Sequence, residues 1–433
     1  MLSEADPGTP SGIRTRLIVE PGTAVSASVL PDEDQQRAEA VCFACGVPEP
    51  LLRRHGARVR QTHRRANVVV LEVAADRQAA LQRELEAAGF VARPPKPVYP
   101  LLNESVPAID VPAVWKAGFL GKGSRIAIVD TGTDRHPDFA DRIAISRDFT
   151  GQRGVDDVGH GTHVAGIAAG AGSVYRGVAP AATLVIAKAL STSGGTEDTV
   201  LAALSWASRQ RIDVVNLSLG GPGDPKDPLS REVDALDAEG MVVCVAAGNS
   251  GPGAGTIGSP GCAAGALTVG ATDKNRRIAD YSSRGPVASL AQTKPDVVAI
   301  GGGVTPEAAC HYGVGVASAR ARVLARDRCA VPPRYVRMSG TSMATPHVAG
   351  LVAVLLEASR ADGAKRTPIE HAHAVKDAIR QGAVDLGLAA DVAGAGIVDG
   401  ARALAALVRA RSARAPARSS SSPAMASSGT EPK

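Results

Sequence analysis

Residues 338–347 read MSGTSMATPH and run directly into the apolar stretch VAGLVAVLL at 348–356. A serine set among glycine, threonine and a following proline, with an apolar run behind it, predicts a hydroxyl at the start of a buried helix. Gly340 supplies a turn that bulkier residues cannot make. Pro346 suits a first helical turn, where its missing N–H is not needed. The free N–H groups and partial positive charge of a helix start favour a developing negative oxygen beside Ser342. Taken alone, the segment also reads as a buried serine that only caps a helix.

The chain supplies what a reactive serine needs. Residues 125–132, RIAIVDTG, read as a buried strand that delivers Asp130 at its carboxyl end. In GHGTHVAG at 159–166, His160 opens a helix rich in alanine and glycine. In VVCVAAGNSG at 242–251, an apolar strand stops at Asn249. Serine is a poor nucleophile until a base accepts its proton. His160 is the candidate base, with Asp130 holding its tautomer and Ser342 as nucleophile. Asn249 is the candidate donor to the oxyanion.

Together IVDTGTDRHPDF, GHGTHVAG, AAGNSG and SGTSMATPHVAG resemble the subtilisin family of serine peptidases, over residues 103–405. The resemblance assigns Asp130, His160 and Ser342 as a triad and Asn249 as the oxyanion donor. It implies a three-layer α/β fold with a mainly parallel seven-stranded sheet, preceded by a small α+β propeptide-like domain. It also implies serine endopeptidase activity on protein and peptide substrates, with a catalytically silent binding scaffold as the alternative. By the same resemblance Ser218, Leu219 and Gly220 in VVNLSLGG, with Gly248, line the substrate cleft. Gly258 would floor an uncharged pocket that prefers Leu, Phe, Tyr or Met before the cut.

The expected division is a disordered stretch at 1–15, a propeptide-like unit at 16–102, a peptidase domain at 103–410 and a disordered Ser/Ala/Pro-rich tail at 411–433. In the N-terminal unit, 67–73 reads as a strand and 77–88 as an amphipathic helix stopped by Gly89. The N-terminal domain would then be an intramolecular inhibitor, released by self-cleavage after Leu102. The formal net charge of +5 comes without interleaved aromatics, so no nucleic-acid role is expected. No membrane span is expected either. No signal peptide is recognisable, which points to the cytoplasm as written and to export if the true start lies upstream.

No cofactor is required by this chemistry. Calcium stays possible, but the loop that forms the family's strong site with the position of Asp138 is missing, and no metal ligand is assigned. Cys42 and Cys45 have C-x-x-C spacing without a second pair, so ordinary thiols are expected there. Cys310 and Cys329 bracket an arginine-rich stretch. If they pair, an oxidising compartment is favoured. This stretch, 308–337, is longer than in compact relatives and carries Arg320, Arg322, Arg326, Arg328, Arg334 and Arg337. Three readings stay open: a cleft rim that meets acidic substrates, a hold on the N-terminal domain, or a solvated surface insertion.

Overall fold

The computed structural model describes residues 14–21, 46–63, 68–94, 105–152, 154–303, 309–310, 314–361, 363 and 365–414. Cys42, Cys45 and the expected cut after Leu102 lie outside them. The chain separates into two compact units, Met1–Tyr99 and Pro100–Lys433.

The first unit is a four-stranded antiparallel sheet in the order β2-β3-β1-β4. Its strands are β1 (Arg14–Pro21), β2 (Arg58–His63), β3 (Val68–Ala74) and β4 (Phe90–Arg93). Alternation along β3 sends Val69, Leu71 and Val73 into one core. That core includes Leu51 and Leu52 of helix α1 (Glu49–Arg54) and Leu81 and Leu85 of α2 (Gln78–Ala87). Glu72 points to the other face, where Arg58 and Arg60 donate to it at 2.7 and 2.9 Å. Strand β1 begins at Arg14, just ahead of the expected boundary.

The second unit is built on a seven-stranded sheet in the order β11-β10-β9-β8-β5-β7-β6, with every pairing parallel. The strands are β5 (Arg125–Asp130), β6 (Ile143–Asp148), β7 (Thr183–Lys188), β8 (Val214–Leu217), β9 (Val242–Ala246), β10 (Leu267–Thr272) and β11 (Val297–Ile300). Except for the edge strand β6, which is IAISRD and mostly exposed, they read as apolar runs because both faces are covered. Ile126 and Ile128 of β5 join one core with helices α3 (His160–Ala169), α6 (Thr341–Arg360), α7 (Pro368–Gly382) and α8 (Gly400–Arg414). Ala127 and Val129 face the other way, towards α4 (Glu197–Ser208) and α5 (Pro228–Ala238). By length and composition α6 could cross a membrane, yet 83% of its most apolar window is buried inside this unit. Helix α8 runs on to Arg414, past the expected start of the tail.

The arginine-rich stretch is not a solvated insertion throughout. It forms a second sheet of β12 (Val316–Ala319), β13 (Ala330–Val331) and β14 (Tyr335–Met338), ordered β12-β14-β13. Residues 316–319 are all buried. Ser318 Oγ donates to the His163 carbonyl of α3 at 2.8 Å. Cys310 and Cys329 are disulfide-bonded across this segment. Arg326, Arg328 and Arg334 are exposed.

Candidate active site

Strand β5 has β7 on one side and β8 on the other, so the chain reverses direction across the sheet around it. A parallel sheet opens a crevice at the carboxyl ends of its strands where such a reversal occurs. Asp130 ends β5, Ser218 follows β8 and Asn249 lies just beyond β9, all at this edge.

Asp130 is fully buried, and its Oδ1 accepts from the Thr131 N–H at 2.7 Å. His160 Nδ1 lies 2.8 Å from the same oxygen. A carboxylate can only accept, so Nδ1 carries the proton and Nε2 keeps its lone pair. Burial opposes protonation of His160. The charge of Asp130, its hydrogen bond and the charge of Asp156 outweigh burial and raise the pKa above 6.5. This approach of helix to strand needs Gly161. A Cβ built there would lie 2.1 Å from the Gly132 carbonyl oxygen.

Residues the sequence reading passed over fix this pair. The buried Asp156 carboxylate accepts from Thr131 Oγ1, from the Val158, Gly159 and Thr162 amides, and from Thr162 Oγ1, at 2.6–3.1 Å. It thus caps α3 with a negative charge, where the helix dipole favours one. Lys188, fully buried at the end of β7, donates to the Thr131 carbonyl at 2.9 Å, Asp157 Oδ1 at 2.5 Å and the Leu190 carbonyl at 3.1 Å. A lone lysine ending an apolar strand gave a usable signal, since a buried ammonium needs partners.

Ser342 lies one residue into α6. The helix starts at Thr341, so Pro346 sits in its second turn and not in the first, as the sequence predicts. Proline there leaves the carbonyl of residue 342 without its helical donor. Ser218 Oγ fills the gap, donating to the Ser342 carbonyl at 2.9 Å. Ser342 Oγ in turn donates to the Ser218 carbonyl at 3.2 Å. These two bonds hold Ser342 above β8, which is the neighbour of β5 and hence about 4.8 Å from it. The hydroxyl is turned to Ser218 here, and rotation about its Cα–Cβ bond redirects it.

Asn249 Oδ1 accepts from the Thr341 N–H at 3.0 Å and from Thr341 Oγ1 at 2.9 Å. With that oxygen occupied, the exposed side chain presents its NH2 group beside the Ser342 end of α6. Thr341 also accepts from the Gly248 N–H at 3.3 Å, tying the β9 loop to the helix start.

Ser218, Leu219 and Gly220 lie just past β8 and not within it. Gly221 pairs with Ser259, its N–H donating to the Ser259 carbonyl at 2.9 Å. Gly258 has a second reason to be glycine, because a Cβ there would lie 2.1 Å from the Gly221 carbonyl oxygen. Beside Gly248 and Gly258, Ala247, Ile257 and Cys262 form an apolar cluster. A cavity of about 1130 Å3 lies elsewhere, lined in part by Asp237, Asp296, Lys376 and Arg380. These four pair with each other, Lys376 with Asp237 at 2.5 Å and Arg380 with Asp296 at 2.8 Å.

His163 and His347 have structural settings. His163 Nε2 faces the Val316 and Val336 carbonyls at 3.0 and 3.1 Å, and burial beside His160 pushes its pKa down to about 3. His347 bonds the Met343 carbonyl at 2.8 Å, and burial pushes it down to about 4. The Asp138 carboxylate is already engaged, accepting from the Tyr335 hydroxyl at 3.1 Å. A Cβ on Gly172 would also touch that carboxylate, at 2.4 Å from Oδ2. Among the described residues, no group of three or more His, Cys, Asp or Glu could hold a metal.

Comparison with known proteins agrees with this architecture. Residues 121–398 match the model described as the subtilase family. The chain is 39% identical over 267 residues to serine protease AprX of Bacillus subtilis (strain 168), covering 55% of this chain and 58% of that protein. It is 38% identical over 261 residues to M-protease of Shouchella clausii (strain KSM-K16), covering 59% and 60%. Against Subtilisin Savinase of Lederbergia lenta it is 38% identical over 250 residues, covering 57% and 81%. The chain thus spans about three fifths of the length of the first two relatives. With a matching family model over most of its length and a parallel sheet that gathers Asp130, His160, Asn249 and Ser342 at one edge, this chain belongs to the subtilase family of serine peptidases.

Proposed function

We propose that the chain is a serine endopeptidase working through an acyl-enzyme. The observation that carries this reading is the Asp130–His160 hydrogen bond at the end of β5, with Ser342 held over the adjacent β8. Ser342 Oγ attacks the peptide carbonyl as His160 Nε2 takes its proton. The tetrahedral oxyanion is met by the Ser342 N–H and the Asn249 NH2 group. His160 then protonates the leaving amine, and water resolves the ester by the same route. Side chains alone perform these steps, and the chemistry requires no cofactor.

The apolar cluster of Ala247, Ile257 and Cys262 supports a preference for large apolar residues before the cut. Backbone edges at Ser218–Gly220 suit pairing with an extended peptide, which tolerates varied side chains. The 16–102 unit is assigned as an intramolecular inhibitor released by cleavage after Leu102. The Cys310–Cys329 disulfide supports an oxidising compartment.

Labelling with a fluorophosphonate probe tests the core of this reading. The expected adduct is on Ser342 and is lost in His160→Ala. An unlabelled, folded chain would instead identify a silent scaffold. In a peptide series, the highest kcat/KM is expected with Leu, Phe, Tyr or Met before the cut, and a best substrate with Lys or Asp there contradicts the pocket assignment.

The pH profile follows from the charge around His160. Only the neutral imidazole accepts the serine proton, and Asp130 with Asp156 raises its pKa above the ordinary 6.5. Activity is therefore present above that raised pKa and lost as pH falls through it. The acid limb of kcat/KM is expected to have its midpoint above 6.5, and a midpoint below that value contradicts the assignment.

A further inference from the structure

The arginine-rich segment meets the residue just before His160 through residues 321–324. Gly159 immediately precedes His160 and has φ of +93°. A Cβ built on it would lie 2.3 Å from Leu324 Cδ1, 2.7 Å from Leu324 Cγ and 3.7 Å from Ala321 Cβ. Leu324 therefore fills the space that a side chain at 159 would occupy. One residue pair away, the Arg322 backbone N–H donates to Asp134 Oδ2 at 2.7 Å, and its guanidinium reaches Asp134 Oδ1 at 3.0 Å and Oδ2 at 3.3 Å. Asp134 is buried, and its own N–H donates to Thr162 Oγ1 at 2.8 Å. Thr162 also binds Asp156, which holds the Gly159 N–H. Contacts from 321–324 thus reach the turn before His160 twice, once by packing and once through a chain of hydrogen bonds.

We propose that Leu324 and Arg322 are positioning residues for His160, a clamp that fixes the entry to helix α3 so that the imidazole stays aligned between Asp130 and Ser342. The inference rests on the peptidase reading above. The same turn is also held by Asp156, which accepts from the Gly159 N–H, and by the Lys188–Asp157 pair. Without Leu324, the glycine at the entry loses the two nearest of these three atoms and keeps only the looser approach of Ala321 Cβ. Glycine has the widest backbone freedom of any residue, and a misplacement of about 1 Å at a reacting group can cost about 100-fold in rate. The clamp touches no residue assigned to the substrate cleft, so it acts on kcat and leaves KM alone. It also separates the roles of the arginines. Arg322 is committed to Asp134, and Arg320 donates to the Pro333 carbonyl at 2.7 Å. Arg322, the arginine that reaches this turn, therefore serves the fold and not an acidic substrate.

The test uses the full chain, a fluorophosphonate probe and one chromogenic apolar peptide, at a temperature where circular dichroism shows every variant folded. Leu324→Ala is expected to lower both the labelling rate and kcat by about 10- to 100-fold, with KM within about threefold. Leu324→Met, which refills the space over Gly159, is expected to recover most of the loss. Arg322→Ala is expected to lose less, about threefold, because its side chain is largely exposed. A parent chain that is never labelled at Ser342 removes the peptidase reading itself. A labelled parent with Leu324→Ala within about twofold of it overturns the clamp alone. So does a loss that appears in KM with kcat unchanged, since the segment then reads substrate. If Leu324→Ala does not fold, Leu324→Val and Arg322→Ala are measured in its place, and unchanged labelling in both overturns the proposal.

Discussion

Ser342→Ala is expected to lower kcat by about 10^6, the size of the same loss in a subtilisin. Removing the hydroxyl removes the covalent step, and neither His160 nor Asn249 can replace it. The helix should survive the change, because the Ser342 carbonyl keeps its bond from Ser218 Oγ and the helix start keeps Thr341 on Asn249. Only the 3.2 Å bond from Ser342 Oγ to the Ser218 carbonyl is lost. A melting temperature close to the parent's is therefore expected alongside the lost activity. The same variant is expected to remain full length, with residues 1–102 attached. N-terminal sequencing of parent and variant measures this, and an intact N-terminus on active parent enzyme refutes self-cleavage.

Asn249→Ala should cost about 10^2- to 10^3-fold in kcat, the magnitude established for the corresponding amide in a subtilisin. The donor matters most when negative charge has developed on the substrate oxygen, so KM should change little. Its effect depends on Thr341, which occupies the amide oxygen with two hydrogen bonds and leaves the NH2 group for the substrate. An equal loss spread over KM would mean that Asn249 holds the ground-state peptide and not the oxyanion. Steady-state kinetics on one apolar peptide, at a pH above the acid limb, distinguishes the two.

Local patterns carried much of this. The apolar run that ends in Asp130, the glycine-flanked His160 and the apolar strand before Asn249 each announce a strand end or helix start. In a parallel α/β sheet those ends share one edge. Asp156 and Lys188 were harder to read. Their roles lie in partners 25 and 57 positions away in sequence, at Thr131. The expectation for Pro346 failed for a related reason. Helix propensity places proline in the first turn, but a hydroxyl from the end of another strand satisfies the carbonyl that Pro346 leaves free. The arginine-rich stretch was the least legible. Its buried strand VASA shows neither alternation nor bulk, and it is ordered by packing on α3.

By itself, then, the sequence determined the order of strands and helices and the residue types that end them, because backbone propensity and apolar periodicity are local properties. The tertiary structure alone decided which side chain closes each long-range gap: Ser218 on Ser342, Thr341 on Asn249, Lys188 on Thr131 and Leu324 on Gly159. Those contacts require elements far apart in the chain to be placed to within a few tenths of an ångström, and no pattern along one strand or helix encodes that placement.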